Sequence, residues 1–212
     1  MTLHDQNKSM QQELLSLLAL RNGHFRLESG HHGNLWLDLD VLFLRPGWLR
    51  QYVNELTNML SEYNIEAVCG PLVGGAFLAQ SVASALDAEF YFTERFVPAQ
   101  QKGLYTVEYR IPPTLRNMVS GKNVAVLDDV INVGSAVRGT VAALRSCGAN
   151  PVVIGALLVL GSSASSFSAD QNIPVERVAS LPNEVWTPSE CPLCSARIRL
   201  EDPTIAGSDP SP

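Results

Sequence analysis

Basic residues are in short supply. Fifteen lysines and arginines stand against 21 aspartates and glutamates, giving a net charge of −6 and a pI near 5.2. A protein whose main work is gripping a nucleic-acid backbone carries the opposite balance or a basic stripe, so that class is excluded, although one local anion site is not. Long apolar runs are also missing, none approaching the ~18 residues that a membrane helix needs. The first dozen residues are polar, with no cationic flank leading into an apolar stretch, so no signal peptide and a cytoplasmic location are expected. Cysteine is sparse: Cys69, Cys147, Cys191 and Cys194 are too few for a disulfide scaffold in a chain of 212 residues. No Ser/His/Asp or Cys/His arrangement for nucleophilic catalysis stands out. What the chain does have is apolar bulk. With 46% hydrophobic residues and a mean hydropathy of +0.07, it can bury a core, and its length suits one domain.

Met10, Leu14, Leu17 and Leu18 recur at helical spacing before Asn22-Gly23, which predicts a first helix over 9–21. Two short apolar runs, 25–27 and 35–39, flank a glycine-bearing turn and read as strands. Pro46 suits a helix first turn, and Leu49, Tyr52, Val53, Leu56, Met59, Leu60 and Tyr63 make 46–63 a one-faced helix. Strand and helix then alternate: strand 65–69, helix 76–86, strand 89–92, strand 124–127, helix 135–147 and strand 152–160. Two strand–loop–helix–strand units in series imply parallel strands joined by right-handed crossovers, hence an α/β sheet covered on both faces. The intervening 93–120 is long and only partly patterned, which predicts a mobile lid. Residues 1–202 read as one domain, and the proline- and serine-rich 203–212 as a flexible tail.

The run from Val124 to Ala136 carries the most chemistry. A buried strand ends in two adjacent carboxylates, Asp128 and Asp129; a turn with Gly134 follows, and a helix opens at Ser135. A helix N-terminus with unpaired N–H groups is a seat for phosphate. Ionised carboxylates only accept hydrogen bonds, so the aspartates suit the two hydroxyls of a ribose and not a phosphate. Diol plus phosphate spells a sugar phosphate. Read alone, the same run is equally an N-capping aspartate pair at an ordinary sheet edge. The glycine-rich 70–75 turn reads alone as tight packing; beside the first loop, its backbone N–H groups read as a nest for diphosphate.

The run Leu127-Asp128-Asp129-Val130-Ile131-Asn132-Val133-Gly134-Ser135 resembles the phosphoribosyl-diphosphate (PRPP) signature of type I phosphoribosyltransferases. Gly23-His24-Phe25, Leu27, Ser29-Gly30, His32 and Asp38 are similar to the N-terminal segment of the orotate-using branch of that family. Gly70-Pro71 with Gly74-Gly75 resembles its diphosphate loop, Phe92-Thr93-Glu94-Arg95 the opening of its catalytic hood, and Cys191-Pro192-Leu193-Cys194 a segment near the end of some bacterial forms. The matching segments run in order from Gly23 to Glu201.

The resemblance implies a mostly parallel twisted sheet flanked by helices, with a small N-terminal α+β hood near 1–45. It implies Mg²⁺-dependent transfer of 5-phosphoribosyl from PRPP to a nucleobase, orotate being favoured, by a homodimer. Asp128, Asp129 and Lys102 are then the expected catalytic residues. Arg95, Asp128, Asp129, Val130, Ile131, Asn132, Val133, Gly134, Ser135 and Ala136 are expected to bind PRPP, and Pro71, Leu72, Gly74 and Gly75 its diphosphate. Asn132, Ser29 and Arg110 are candidates for the base, and Mg²⁺ is expected to be held through PRPP and water with no direct protein ligand.

Three departures stand out. Asn132-Val133 replaces a threonine pair, the basic hood is reduced to Arg95 and Lys102, and no arginine lies in 161–168 where the family places one on the orotate carboxylate. These departures keep open a different base, or a PRPP-sensing protein with weak catalysis. His31 and His32 point to opposite strand faces and read as a polar turn. Cys191 and Cys194 have no second cysteine pair to complete a zinc site, so a structural turn is expected, with a site completed across a dimer as the lesser alternative.

Overall fold

The computed structural model describes residues 3–99 and 103–203. Lys102 and all but the first residue of the expected tail lie outside the described residues. Helix α1 (Leu3–Ser16) leads into an antiparallel hairpin of β1 (Ala19–Arg26) and β2 (His32–Asp38). The first helix therefore ends earlier than its periodicity predicts. Ala19, Leu20 and Arg21 pair with Asp38, Leu37 and Trp36 instead of extending the helix. Asn22-Gly23 makes no helix stop; it sits where the hairpin register slips between Asn22 and Phe25.

A short α2 (Asp40–Phe43) precedes α3 (Pro46–Leu60), whose Leu49, Tyr52, Val53, Leu56 and Leu60 are buried at the expected spacing. Then come β3 (Ala67–Pro71), α4 (Gly74–Leu86), β4 (Glu89–Phe96), β5 (Glu108–Arg110) and α5 (Arg116–Val119). The chain continues through β6 (Asn123–Ile131), α6 (Ser135–Ser146), β7 (Asn150–Leu160), α7 (Ser163–Gln171), β8 (Val175–Leu181), β9 (Val185–Trp186) and α8 (Pro192–Ser195). The main sheet has six strands in the order β5-β4-β3-β6-β7-β8, all pairs parallel except β4–β5. A second sheet, β1-β2-β9, is antiparallel.

Both faces of the main sheet are covered, as a parallel sheet requires. On one side α3 and α4 bury Leu56, Leu60, Leu78 and Val82 against Ala125, Leu127 and Val153. On the other, α6 and α7 bury Val137, Val141, Leu144 and Phe167 against Val124, Val126 and Ile154. The expected lid region 93–120 is partly regular. Thr93–Phe96 belong to β4, and Arg95 pairs with Tyr109 across the β4–β5 hairpin. No helix among the described residues is long and apolar enough to cross a membrane.

Candidate active site

From β3 the chain crosses through α4 to β4 on one side; from β6 it crosses through α6 to β7 on the other. The gap between adjacent β3 and β6 is thus the topological switch point, where open α/β sheets bind ligands beyond the carboxyl ends of their strands. A cavity of about 290 Å³ opens there. Its floor is the β3–α4 turn (Pro71, Leu72, Val73, Gly74, Gly75) and the end of β6 with the turn into α6 (Asp128–Val130, Asn132–Ala136). Its roof is the β1–β2 hairpin, through Leu27, Glu28, Leu35, Trp36 and Leu37.

The aspartates lie in the strand itself, since β6 continues pairing with β7 as far as Ile131. Up to Leu127 the side chains of β6 alternate between the two cores: Val124 and Val126 on the α6 side, Ala125 and Leu127 on the α4 side. Beyond the pair the phase has shifted by one residue, because Val130 packs on the α4 side and Ile131 on the α6 side. Two consecutive carboxylates therefore line one cavity, which a strict period of two would forbid. Ile131, expected to meet PRPP, is 2% exposed in the α6-side core and does not line the cavity.

Two glycines press against these carboxylates. A Cβ at Gly75 would lie 2.7 Å from Asp128 Oδ1, and one at Gly74 would lie 2.6 Å from Asp129 Cγ. Both are inside van der Waals contact, so only glycine lets the α4 turn approach this closely. Burial, then the charge of Asp129, raises the Asp128 carboxyl well above the usual carboxylate range; burial also raises Asp129. The Asp129 N–H donates to Asp128 Oδ1 at 3.2 Å.

Gly134, at φ +74°, provides the left-handed residue before α6, and no side chain caps that helix. Its first residues, Ser135 and Ala136, line the cavity, and the N–H groups left unpaired at a helix start suit an anion. In the described structure the Ser135 hydroxyl donates to Glu28 Oε1 at 3.0 Å. Glu28 also accepts from the Tyr109 hydroxyl at 2.8 Å and from Arg95 Nε at 2.7 Å. Burial, then Glu28, raises the Tyr109 hydroxyl far above the ordinary tyrosine value. Glu28 and Tyr109 are site residues that the sequence reading missed; the hairpin roof and the β4–β5 hairpin bring them together from 81 residues apart.

The other expected residues are distributed unevenly. Pro71, Leu72, Gly74, Gly75, Val130, Asn132, Val133, Gly134, Ser135 and Ala136 all line the cavity. Asn132 Oδ1 accepts from Asn183 Nδ2 at 2.9 Å. Arg95 borders an adjoining cavity that shares Leu27 and Glu28 with the first. Ser29 is buried, its hydroxyl 3.0 Å from His31 Nδ1, and Arg110 is exposed over the Phe96 ring and bonded to Glu108. Neither Ser29 nor Arg110 lines the main cavity. Among the described residues that line it there are three carboxylates and no cation.

The switch-point cavity sets hydroxyl acceptors, Asp128 and Asp129, beside an uncapped helix N-terminus in an α/β fold, the chemistry a sugar-phosphate transferase requires. The chain belongs to the phosphoribosyl transferase domain family, which residues 47–187 match, and it is a phosphoribosyltransferase. Orotate phosphoribosyltransferase of Thermotoga maritima is 32% identical over 191 residues, covering 89% of this chain and 94% of that one. The protein of the same name from Caldanaerobacter subterraneus is 28% identical over 189 residues, covering 88% and 91%. The solved orotate phosphoribosyltransferase of Aeropyrum pernix superposes with a TM-score of 0.60 at 22% identity, covering 82% of this chain and 93% of that one. Adenine phosphoribosyltransferase of Rhodothermus marinus gives a TM-score of 0.64 at 21% identity, covering 82% and 99%. At such identities the two structures show the fold alone.

Proposed function

We propose that this phosphoribosyltransferase carries the 5-phosphoribosyl group from PRPP to orotate, yielding orotidine 5′-phosphate and diphosphate, with Mg²⁺ required. The observation that carries the reading is the convergence of Asp128 and Asp129 with the turns at 71–75 and 132–136 on one cavity. Asp128 and Asp129 accept the two ribose hydroxyls. The N-terminus of α6, with Ser135, seats the 5′-phosphate, and the backbone of 71–75 seats the diphosphate. Arg95 releases Glu28 to meet the diphosphate, and Lys102, outside the described residues, is assigned to the same group.

Departure of diphosphate leaves oxocarbenium character at the anomeric carbon, so no protein nucleophile is needed. Catalysis then rests on holding the sugar still and stabilising charge. Two buried carboxylates are costly to ionise, and positive charge developing on the ribose offsets that cost only in the transition state. A cavity bounded by three carboxylates, with no cation among its described lining residues, suits a substrate that arrives with its own metal. No residue of this chain is proposed to ligate Mg²⁺ directly; bound with PRPP, the ion would supply positive charge against the departing diphosphate. The lid expected between β4 and β5 closes on the bound substrates and excludes water.

Orotate is supported by the names of the relatives that share nearly the full chain at about the same length. Leu35, Trp36 and Leu37 offer the planar base an apolar wall. The lack of a described cation at the cavity favours a second reading, a base without a carboxylate. Turnover with PRPP, Mg²⁺ and a panel of orotate, uracil, adenine, guanine and hypoxanthine decides between them. The proposed working unit is a homodimer, which light scattering tests.

A further inference from the structure

His24 on β1, His32 on β2, and Cys191 and Cys194 at the start of α8 meet below the roof hairpin, with one donor atom from each lying within 4.8 Å of the others. His24 Nε2 is 3.1 Å from His32 Nδ1, 3.3 Å from Cys191 Sγ and 3.7 Å from Cys194 Sγ; Cys194 Sγ is 3.3 Å from His32 Nδ1. A tetrahedral zinc ion with Zn–N near 2.0–2.1 Å and Zn–S near 2.3 Å demands N···N edges of about 3.3 Å and N···S edges of about 3.5 Å. The four separations given are each within about 0.2 Å of those edges, and the remaining two pairs lie within 4.8 Å. We propose that His24, His32, Cys191 and Cys194 form a structural Zn²⁺ site that staples the N-terminal hairpin to the C-terminal turn.

Hydrogen bonding alone accounts poorly for the cluster. His24 Nδ1 lies 2.9 Å from the Ile198 carbonyl, which fixes the proton on Nδ1 and turns the Nε2 lone pair toward the other three groups. One lone pair accepts one good hydrogen bond, yet three neighbours converge on it. A cation resolves the crowding, and a backbone carbonyl on the far nitrogen is the usual outer partner of a metal-bound histidine. His24, His32 and Cys191 are 1%, 4% and 1% exposed, while Cys194 closes the cluster from the exposed side. Two sulfurs and two imidazoles are a donor set that selects zinc over magnesium or calcium.

This corrects the expectation that the cysteine pair lacks partners. The missing donors are histidines, eight residues apart on antiparallel strands, so no local spacing announces them. His31 takes no part: its ring packs on Tyr105 and its Nδ1 meets Ser29. The staple lies where the chain ends are already tied together. Arg26 N–H donates to the Glu201 carbonyl at 2.8 Å and Glu201 N–H to the His24 carbonyl at 2.7 Å. The same hairpin carries Leu27, Glu28 and Trp36 over the cavity, so the metal sets the roof without touching substrate.

The test uses the full chain, made in zinc-supplemented medium and purified under reducing conditions. Metal analysis is expected to find about one zinc per chain. Cys191→Ser with Cys194→Ser, and separately His24→Ala, should abolish it, while His31→Ala retains it. Co²⁺ added to chelator-stripped wild type should give the intense visible bands of a tetrahedral ion with thiolate charge transfer, a readout that needs no folded variant. Unstripped, reduced wild type with neither zinc nor the cobalt spectrum overturns the proposal. So does a Cys191–Cys194 disulfide found by mass spectrometry in the same preparation.

Discussion

Replacing Gly74 with alanine puts a methyl group against the Asp129 carboxyl, with the new Cβ 2.6 Å from Cγ where ordinary contact begins near 3.4 Å. The neighbour that must yield is a side chain and not backbone, so the fold survives and the carboxylate is displaced by roughly 1 Å. In a site that works by positioning, a displacement of that size costs about 10²-fold in rate. The expectation is therefore a kcat/KM roughly a hundredfold below wild type, equivalent to about 2.7 kcal/mol of transition-state stabilisation. Stability should hold or rise, because Gly74 opens α4 and alanine is favoured over glycine in a helix by up to ~1 kcal/mol. Gly47→Ala in α3 is the control: its Cβ meets nothing within 4 Å, so stability should rise with activity unchanged. Steady-state kinetics with PRPP as the varied substrate, beside a thermal melt, reads both quantities. A folded Gly74→Ala enzyme within twofold of wild type would refute the claim that Asp129 is held in place by this close approach.

Asp128→Asn with Asp129→Asn should lower kcat/KM by one to two decades for each charge-assisted bond lost, worth ~1.5–3 kcal/mol, without unfolding the protein. Burial raises both native carboxyls, so the native state binds protons more tightly than the unfolded chain and the ionised pair destabilises the fold at neutral pH. The double variant should accordingly melt higher than wild type at pH 7, the gap closing as pH falls toward roughly 4; a lower melting point at pH 7 contradicts this. PRPP with Mg²⁺ should raise the melting temperature more than PRPP and Mg²⁺ do separately, since ligands of the native state stabilise it by mass action; equal shifts with and without metal count against a metal-bearing substrate. The Tyr63 hydroxyl donates to Glu176 Oε1 at 2.7 Å, and that bond, then burial, pushes its pKa up to about 12. Its contribution should be intact below about pH 10, fade as pH rises through about 12, and be absent in Tyr63→Phe, which should cost ~1 kcal/mol in denaturant melts at pH 7.

The central strands were legible because each is buried on both faces. Ala67–Cys69, Val124–Leu127 and Val153–Leu160 read as near-continuous apolar runs, and α3 declared itself through five buried residues at helical spacing. Asp128 and Asp129 were legible as charge closing such a run. Other features depended on partners far along the chain. The end of α1 is set by β1 pairing with β2, which overrides a helical period that continues to Leu18. Helix α7 buries only Ala164 and Phe167, too little apolar pattern to announce itself. The phase shift at Asp128–Asp129, which sends Ile131 into the core, leaves no mark on residue type. Glu28 gains its role from Arg95, Tyr109 and Ser135, and the Cys191–His24 contact spans 167 residues.

The measurement that bears most directly on the proposed reaction is orotate-dependent release of diphosphate from PRPP, with the nucleotide product identified by mass spectrometry. With Mg²⁺ present, the account predicts orotidine 5′-phosphate and diphosphate in equal amounts, and neither once chelator is added or Asp128 and Asp129 are both asparagine. Turnover of adenine, guanine or hypoxanthine in preference to orotate, or undiminished product from the double variant, would contradict it.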